Sequence, residues 1–121
     1  MFRIKETYLK YLREIGGDII SSEDPSEIIR RERKKANITQ EELGRLLGIR
    51  RETVSRIERG YITPTFNFVR KFSRIIAISK ILGGAHGLFS TNFLSLYFNM
   101  SPRDIRMLMD ISLRREVKKW R

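Results

Sequence analysis

No cysteine occurs in the 121 residues. That removes disulfides, thiolate nucleophiles and cysteine-ligated zinc at once. His86 is the only histidine, so a metal site built on imidazole has no second ligand of its kind, and a catalytic triad has one place to start. No carboxylate pair stands isolated in an apolar setting, and Gly83-Gly84-Ala85-His86-Gly87 lacks the Gly-Lys-Ser/Thr ending of a phosphate loop. The expectation is a protein without enzymatic activity, metal or cofactor. Negative charge is also scarce: 14 Asp+Glu face 25 Lys+Arg, a formal net charge of +11. Such a surplus on a small surface attracts polyanions, with nucleic acid foremost, anionic membrane second and acidic protein third. The opening Met1-Phe2-Arg3-Ile4-Lys5-Glu6 is charged and has no apolar signal-peptide core, so a cytoplasmic location is expected.

Period-two alternation is sparse and helical spacing frequent, which predicts an all-α fold. Ile4, Tyr8, Tyr11, Leu12 and Ile15 form one helical stripe that Gly16-Gly17 is expected to stop. Asp24-Pro25-Ser26-Glu27 predicts a helix start, with Asp24 as cap, Pro25 in the first turn and Glu27 reaching back. That helix runs to about Ala36, where Asn37 tolerates a left-handed backbone. Thr39-Gln40-Glu41-Glu42 repeats the capping pattern and opens a short helix carrying Leu43, Leu46 and Leu47 up to Gly48. A further helix starts near Arg51, buries Val54 and Ile57 and stops at Gly60. A loop through Pro64 leads to a helix with Phe68, Val69, Phe72, Ile75, Ile76 and Ile78. Ser101-Pro102-Arg103-Asp104 starts a last helix reaching about Lys119, with a basic end that includes Arg114.

The block from Gln40 to Gly60 carries the functional signal. A helix-turn-helix needs a small residue where two helices approach, a glycine at the turn and apolar residues on the inner faces. Gly44, Gly48 and the set Leu43, Leu47, Ile49, Val54 and Ile57 supply these in one register. Residues Ile29 to Ile78 resemble the XRE (Cro/CI-type) family of helix-turn-helix regulators. The likeness rests on Arg33, Ile38-Thr39-Gln40-Glu41-Glu42-Leu43-Gly44, Leu47-Gly48-Ile49, Thr53-Val54-Ser55-Arg56-Ile57-Glu58-Arg59-Gly60 and Pro64. The resemblance implies four or five short helices binding operator DNA, usually as a dimer, to control transcription. It places Arg51, Glu52, Arg56 and Ser55 at base edges in the major groove. It places Gln40, Thr53, Arg59 and Tyr61 at the DNA backbone, and pairs Arg33 with Glu58. Arg50 departs from the family, which usually has a Ser or Thr cap there; it is either a weak cap or a phosphate contact. The cluster Arg30, Arg31, Lys34 and Lys35 reads as a solvated face that attracts DNA at long range.

From Ile81 to Pro102 the chain has no formal charge. Glycines, asparagines and hydroxyls make this a poor membrane span, and no membrane association is expected. Phe89, Phe93, Leu94, Leu96, Tyr97 and Phe98 exceed what one monomer needs to bury, so a dimer interface is expected here in preference to a ligand pocket. The expected organisation is an N-terminal helix and connector at 1–23, the helix-turn-helix domain at 24–80 and a C-terminal helical dimerisation region at 81–121. The leading function is a homodimeric, sequence-specific double-stranded DNA-binding regulator acting on an inverted repeat. The alternative is an antitoxin or coactivator-like module that engages a protein partner through its C-terminal region. RNA binding ranks third, because no aromatic platform interleaves with the basic residues.

Overall fold

A computed structural model describes residues 4–84 and 90–119, with side chains through Arg114. The described residues form seven helices and no strand: α1 Ile4–Ser21, α2 Pro25–Lys35, α3 Gln40–Leu47, α4 Arg51–Glu58, α5 Phe66–Gly84, α6 Thr91–Phe98 and α7 Pro102–Lys119. The fold is all-α. None of these helices is long and apolar enough to cross a membrane.

Helix α5 is the spine. Its Phe72, Ile76 and Ile78 are fully enclosed, because α1 packs along it, α7 crosses it and α3 touches it. One continuous apolar core therefore runs from Ile4 through the α3–α4 pair to Ile111. The segments before and after the helix-turn-helix share that core instead of forming separate ones. The helix continues through Ile81 and Leu82, both buried, to Gly84.

Helix α1 differs more plainly from expectation. The structure runs the helix through Gly16-Gly17 to Ser21. Neither glycine has a left-handed backbone. Each costs about 1 kcal/mol relative to alanine in a helix interior. Continuing the helix buries Ile19 to 2 % exposure beside Ile15, and a buried isoleucine is worth about 1.5–3 kcal/mol. Packing therefore overrides local propensity. A Cβ on Gly16 would lie 3.6 Å from the Ser73 Oγ of α5, an ordinary contact, and one on Gly17 would meet nothing.

At the start of α2, Asp24 accepts from the Glu27 N–H at 3.3 Å. The Glu27 carboxylate does not return to the cap as expected; it pairs with Arg30 at 3.4 Å. Asn37 does take the left-handed conformation, with φ 60°.

Gly17→Ala is expected to stabilise the protein by about 0.5–1 kcal/mol, read in a denaturant melt. A loss of stability would mean that the position ends a helix.

Candidate nucleic-acid interface

The α3–α4 unit is fixed by close approach. A Cβ at Gly44 would stand 2.8 Å from the Ile49 carbonyl oxygen and 3.4 Å from the Arg51 nitrogen. Only glycine allows the chain to fold back at this distance without a backbone shift. Gly48 then takes a left-handed conformation (φ 72°), and the next amide, Ile49, bonds back to the Gly44 carbonyl at 2.9 Å. Leu43, Leu47, Val54 and Ile57 are buried behind the turn, with Ile49 half-buried. The capping box at Thr39 is complete: the Glu42 N–H donates to the Thr39 hydroxyl at 3.1 Å, and the Thr39 N–H donates to the Glu42 carboxylate at 3.0 Å.

Burial divides α4 into two faces. Val54, Ile57 and Glu58 point inward, while Arg51, Glu52 and Arg56 are exposed and Ser55 and Thr53 are half-buried. All three long charged side chains that the family likeness assigns to base edges thus lie on the outer side of one eight-residue helix. Arg50 precedes it with an extended backbone and makes no side-chain cap bond. It is exposed, beside first-turn amides that carry the positive end of the helix dipole. After α4, Gly60 is left-handed (φ 79°). The exposed Tyr61 ring lies 4.9 Å from the Arg59 guanidinium.

Behind this surface, Arg33 and Glu58 form a two-pronged pair, Nε to Oε2 at 2.6 Å and Nη2 to Oε1 at 2.9 Å. Their side chains are 10 % and 2 % exposed. Arg33 also donates to the Ile38 carbonyl at 2.8 Å. Gln40 donates from Nε2 to Glu58 Oε1 at 3.1 Å. The amide of Gln40 is thereby held in place at the first residue of α3, a restraint that sequence reasoning had not foreseen.

A second missed feature is Arg114 of α7, which donates to both oxygens of Glu42 at 3.0 and 2.9 Å. The C-terminal helix is thereby tied to the first turn of α3. Nothing local in the sequence marks this pair, whose members are seventy-two residues apart.

The residues expected at a dimer interface do not share one face. Leu94 and Phe98 are 1 % and 4 % exposed and belong to the monomer's own core, whereas Phe93, Leu96 and Tyr97 are exposed. Residues four apart on a helix share a face, and the monomer uses the Leu94–Phe98 face to seal α6 against the core. Leu94 and Phe98 are therefore removed from the exposed set. Phe89 lies outside the described residues, as does His86.

The outward basic helix, braced by a glycine-tight turn, defines a helix-turn-helix protein. A family model described as helix-turn-helix matches residues 29–83. An HTH-type transcriptional regulator of Archaeoglobus fulgidus is 42 % identical over 43 residues, 36 % of this chain and 61 % of that protein. A second HTH-type transcriptional regulator of the same organism is 40 % identical over 47 residues, 39 % of this chain and 67 % of its own length. The matched stretch thus spans about two thirds of these relatives. No solved structure matches the chain. The chain belongs to the XRE-type helix-turn-helix family of transcriptional regulators.

Glu58→Ala is expected to cost about 3–5 kcal/mol, because it strands the buried Arg33 charge, and to affect stability more than base preference. A thermal melt matching wild type would refute the bracing role.

Proposed function

We propose that the chain is a sequence-specific double-stranded DNA-binding transcriptional regulator that acts as a homodimer on an inverted-repeat operator. The observation that carries this is the outer face of α4, where Arg51, Glu52 and Arg56 stand exposed over a buried Val54–Ile57 inner face. Set in the major groove, Arg51 or Arg56 forms the bidentate contact to guanine. Glu52 accepts from cytosine N4, and Ser55 lies within reach of the same edges. Gln40, Arg50, Thr53, Arg59 and Tyr61 position the helix through the phosphate backbone. Arg50 in this role accounts for its unsuitability as a cap: its charge is spent on DNA instead of on the helix end. The activity is binding, not catalysis, and the expected location is the cytoplasm.

Self-association is assigned to the C-terminal region, 81–121, through the exposed Phe93, Leu96 and Tyr97 of α6, with Phe89 near them in sequence. The domain at 24–80 supplies the DNA contacts. Two recognition helices about 34 Å apart then meet successive major grooves and read a palindrome. The same apolar face supports a second reading, in which α6 engages a different protein, as an antitoxin or coactivator would. Sedimentation of the pure chain separates the two: a concentration-dependent dimer supports the first, and a strict monomer the second.

Selection of binding sites from random duplexes is the direct test. Arg51→Ala or Arg56→Ala should lose about 1–3 kcal/mol on the selected site and relax preference at one base pair. Gln40→Ala should weaken all sequences alike. Protein that ignores duplex DNA at low salt would end this reading, and a site without two-fold symmetry would end its dimeric form.

Arg50→Ser separates cap from contact. It should gain about 0.5–2 kcal/mol of stability and reduce the slope of log affinity against log salt by about 0.9. An unchanged slope would exclude the phosphate contact.

A further inference from the structure

Away from α4, the start of α1, the middle of α5 and the end of α6 border a shallow, open cleft of about 450 Å³. Small-molecule sites commonly occupy about 300–1,000 Å³. It is lined by Lys5, Tyr8 and Leu9 of α1, Arg74 of α5, and Tyr97, Phe98 and Asn99 at the end of α6. Two cations face this space, and no carboxylate lines it.

Arg74 is the central group. It is half-buried, and it donates from Nη2 to the Phe98 carbonyl at 2.6 Å and from Nε to the Tyr8 hydroxyl at 3.4 Å. Both partners are neutral, and among the described residues no carboxylate forms an ion pair with Arg74. The guanidinium is thus held in a fixed orientation with its charge uncompensated. Partial burial makes a missing counter-charge costly, and a planar guanidinium matches a carboxylate or phosphate best. Lys5, exposed at the rim, adds a second positive charge.

The α6 side is aromatic and braced. The Tyr97 ring meets Phe98 edge-on, with centroids 5.0 Å apart at 81°, and Phe98 in turn contacts Tyr8 at 5.1 Å. Phe93 stacks on Tyr97 at 5.8 Å, and Tyr97 remains 42 % exposed, so part of a held ring is left open to a flat partner. Asn99, in a left-handed turn at the end of α6, brings an amide to the same side.

We propose that this cleft binds a small organic anion, a carboxylate or phosphate monoester carried on a flat ring. Arg74 and Lys5 take the anionic group, Tyr97 stacks on the ring, and the Asn99 amide supplies a further hydrogen bond.

The test titrates the full chain, without DNA, with 1-naphthoate and with adenosine monophosphate, each against its neutral counterpart, 1-naphthamide or adenosine. Amide shifts in a nitrogen–proton NMR spectrum are the readout. At least one anion should saturate with shifts centred on Lys5, Tyr8, Arg74 and Asn99, and its neutral counterpart should bind at least about tenfold more weakly, equivalent to ~1.4 kcal/mol. Arg74→Gln should abolish saturable binding. Because Arg74 also ties α5 to α6, Lys5→Gln, at an exposed position, provides the independent check, weakening the anion severalfold while the melt stays unchanged. The proposal is overturned if neither anion saturates or if neutral and charged probes bind alike. It is equally overturned if the shifts centre on α4, as for a mere nucleic-acid mimic, or if the Lys5 variant binds as wild type.

Discussion

The buried pair between Arg33 and Glu58 is the constraint on which the geometry of the helix-turn-helix depends. Arg33 lies near the end of α2 and Glu58 ends α4, so one bidentate contact fixes the distance between the helix that begins the motif and the helix that presents the basic face. Gln40 on the same carboxylate adds α3. Three helices thus meet at one oxygen pair. Removing two charges from water is costly, and an apolar substitute is often as stable. What the pair supplies that an apolar contact does not is direction: a guanidinium fork accepts only one approach of the carboxylate. The angle of α4 against α2 and α3 is thereby specified, as the proposed groove-reading role of α4 requires.

That arrangement needs a platform, and α5 provides it. Its buried stripe runs from Phe68 to Leu82, so one side receives the helix-turn-helix while α1 and α7 occupy the rest. The short α3 and α4, each of eight residues, are below the length at which isolated helices persist in water. Their stability comes from the caps, the Gly44 crossing and this shared core. The Arg114–Glu42 contact adds a surface tie between α7 and the capping box of α3. With Arg114 half-exposed, it is worth at most about 1 kcal/mol, and its main effect is to align two elements that the core already brings together.

The legible parts of the fold were those written in neighbouring residues. The capping box at Thr39, the left-handed Gly48 and the inner set of α3 and α4 depend on contacts within a few positions, so pattern sufficed. The Arg33–Glu58 pair joins distant positions and entered only through family likeness. The length of α1 escapes the sequence because Gly16-Gly17 carries a local helix-stop signal, while the burial of Ile19 that outweighs it comes from tertiary packing. α6 was hardest. With no charged residue in Thr91–Phe98, no polar stripe marks its outer face, and the core residues Leu94 and Phe98 look the same in sequence as the exposed Phe93 and Leu96.

Charge is distributed in a way that the net surplus does not convey. Glu27, Glu41 and Glu42 pair with Arg30, Arg45 and Arg114, and Glu58 is consumed in the interior by Arg33. Among the described residues, no ion pair engages Arg50, Arg51 or Arg56. Single arginines on α2, α3 and α7 are thus paired, whereas those at the start and outer face of α4 are not, with Glu52 as the one acid among them. Screening in water makes the paired surface charges weak stabilisers, so their effect on folding is small. Their effect on the field is larger, because each pairing away from α4 sharpens the contrast between that helix and its surroundings. The unpaired arginines of α4 thus add to the attraction of a polyanion towards that helix.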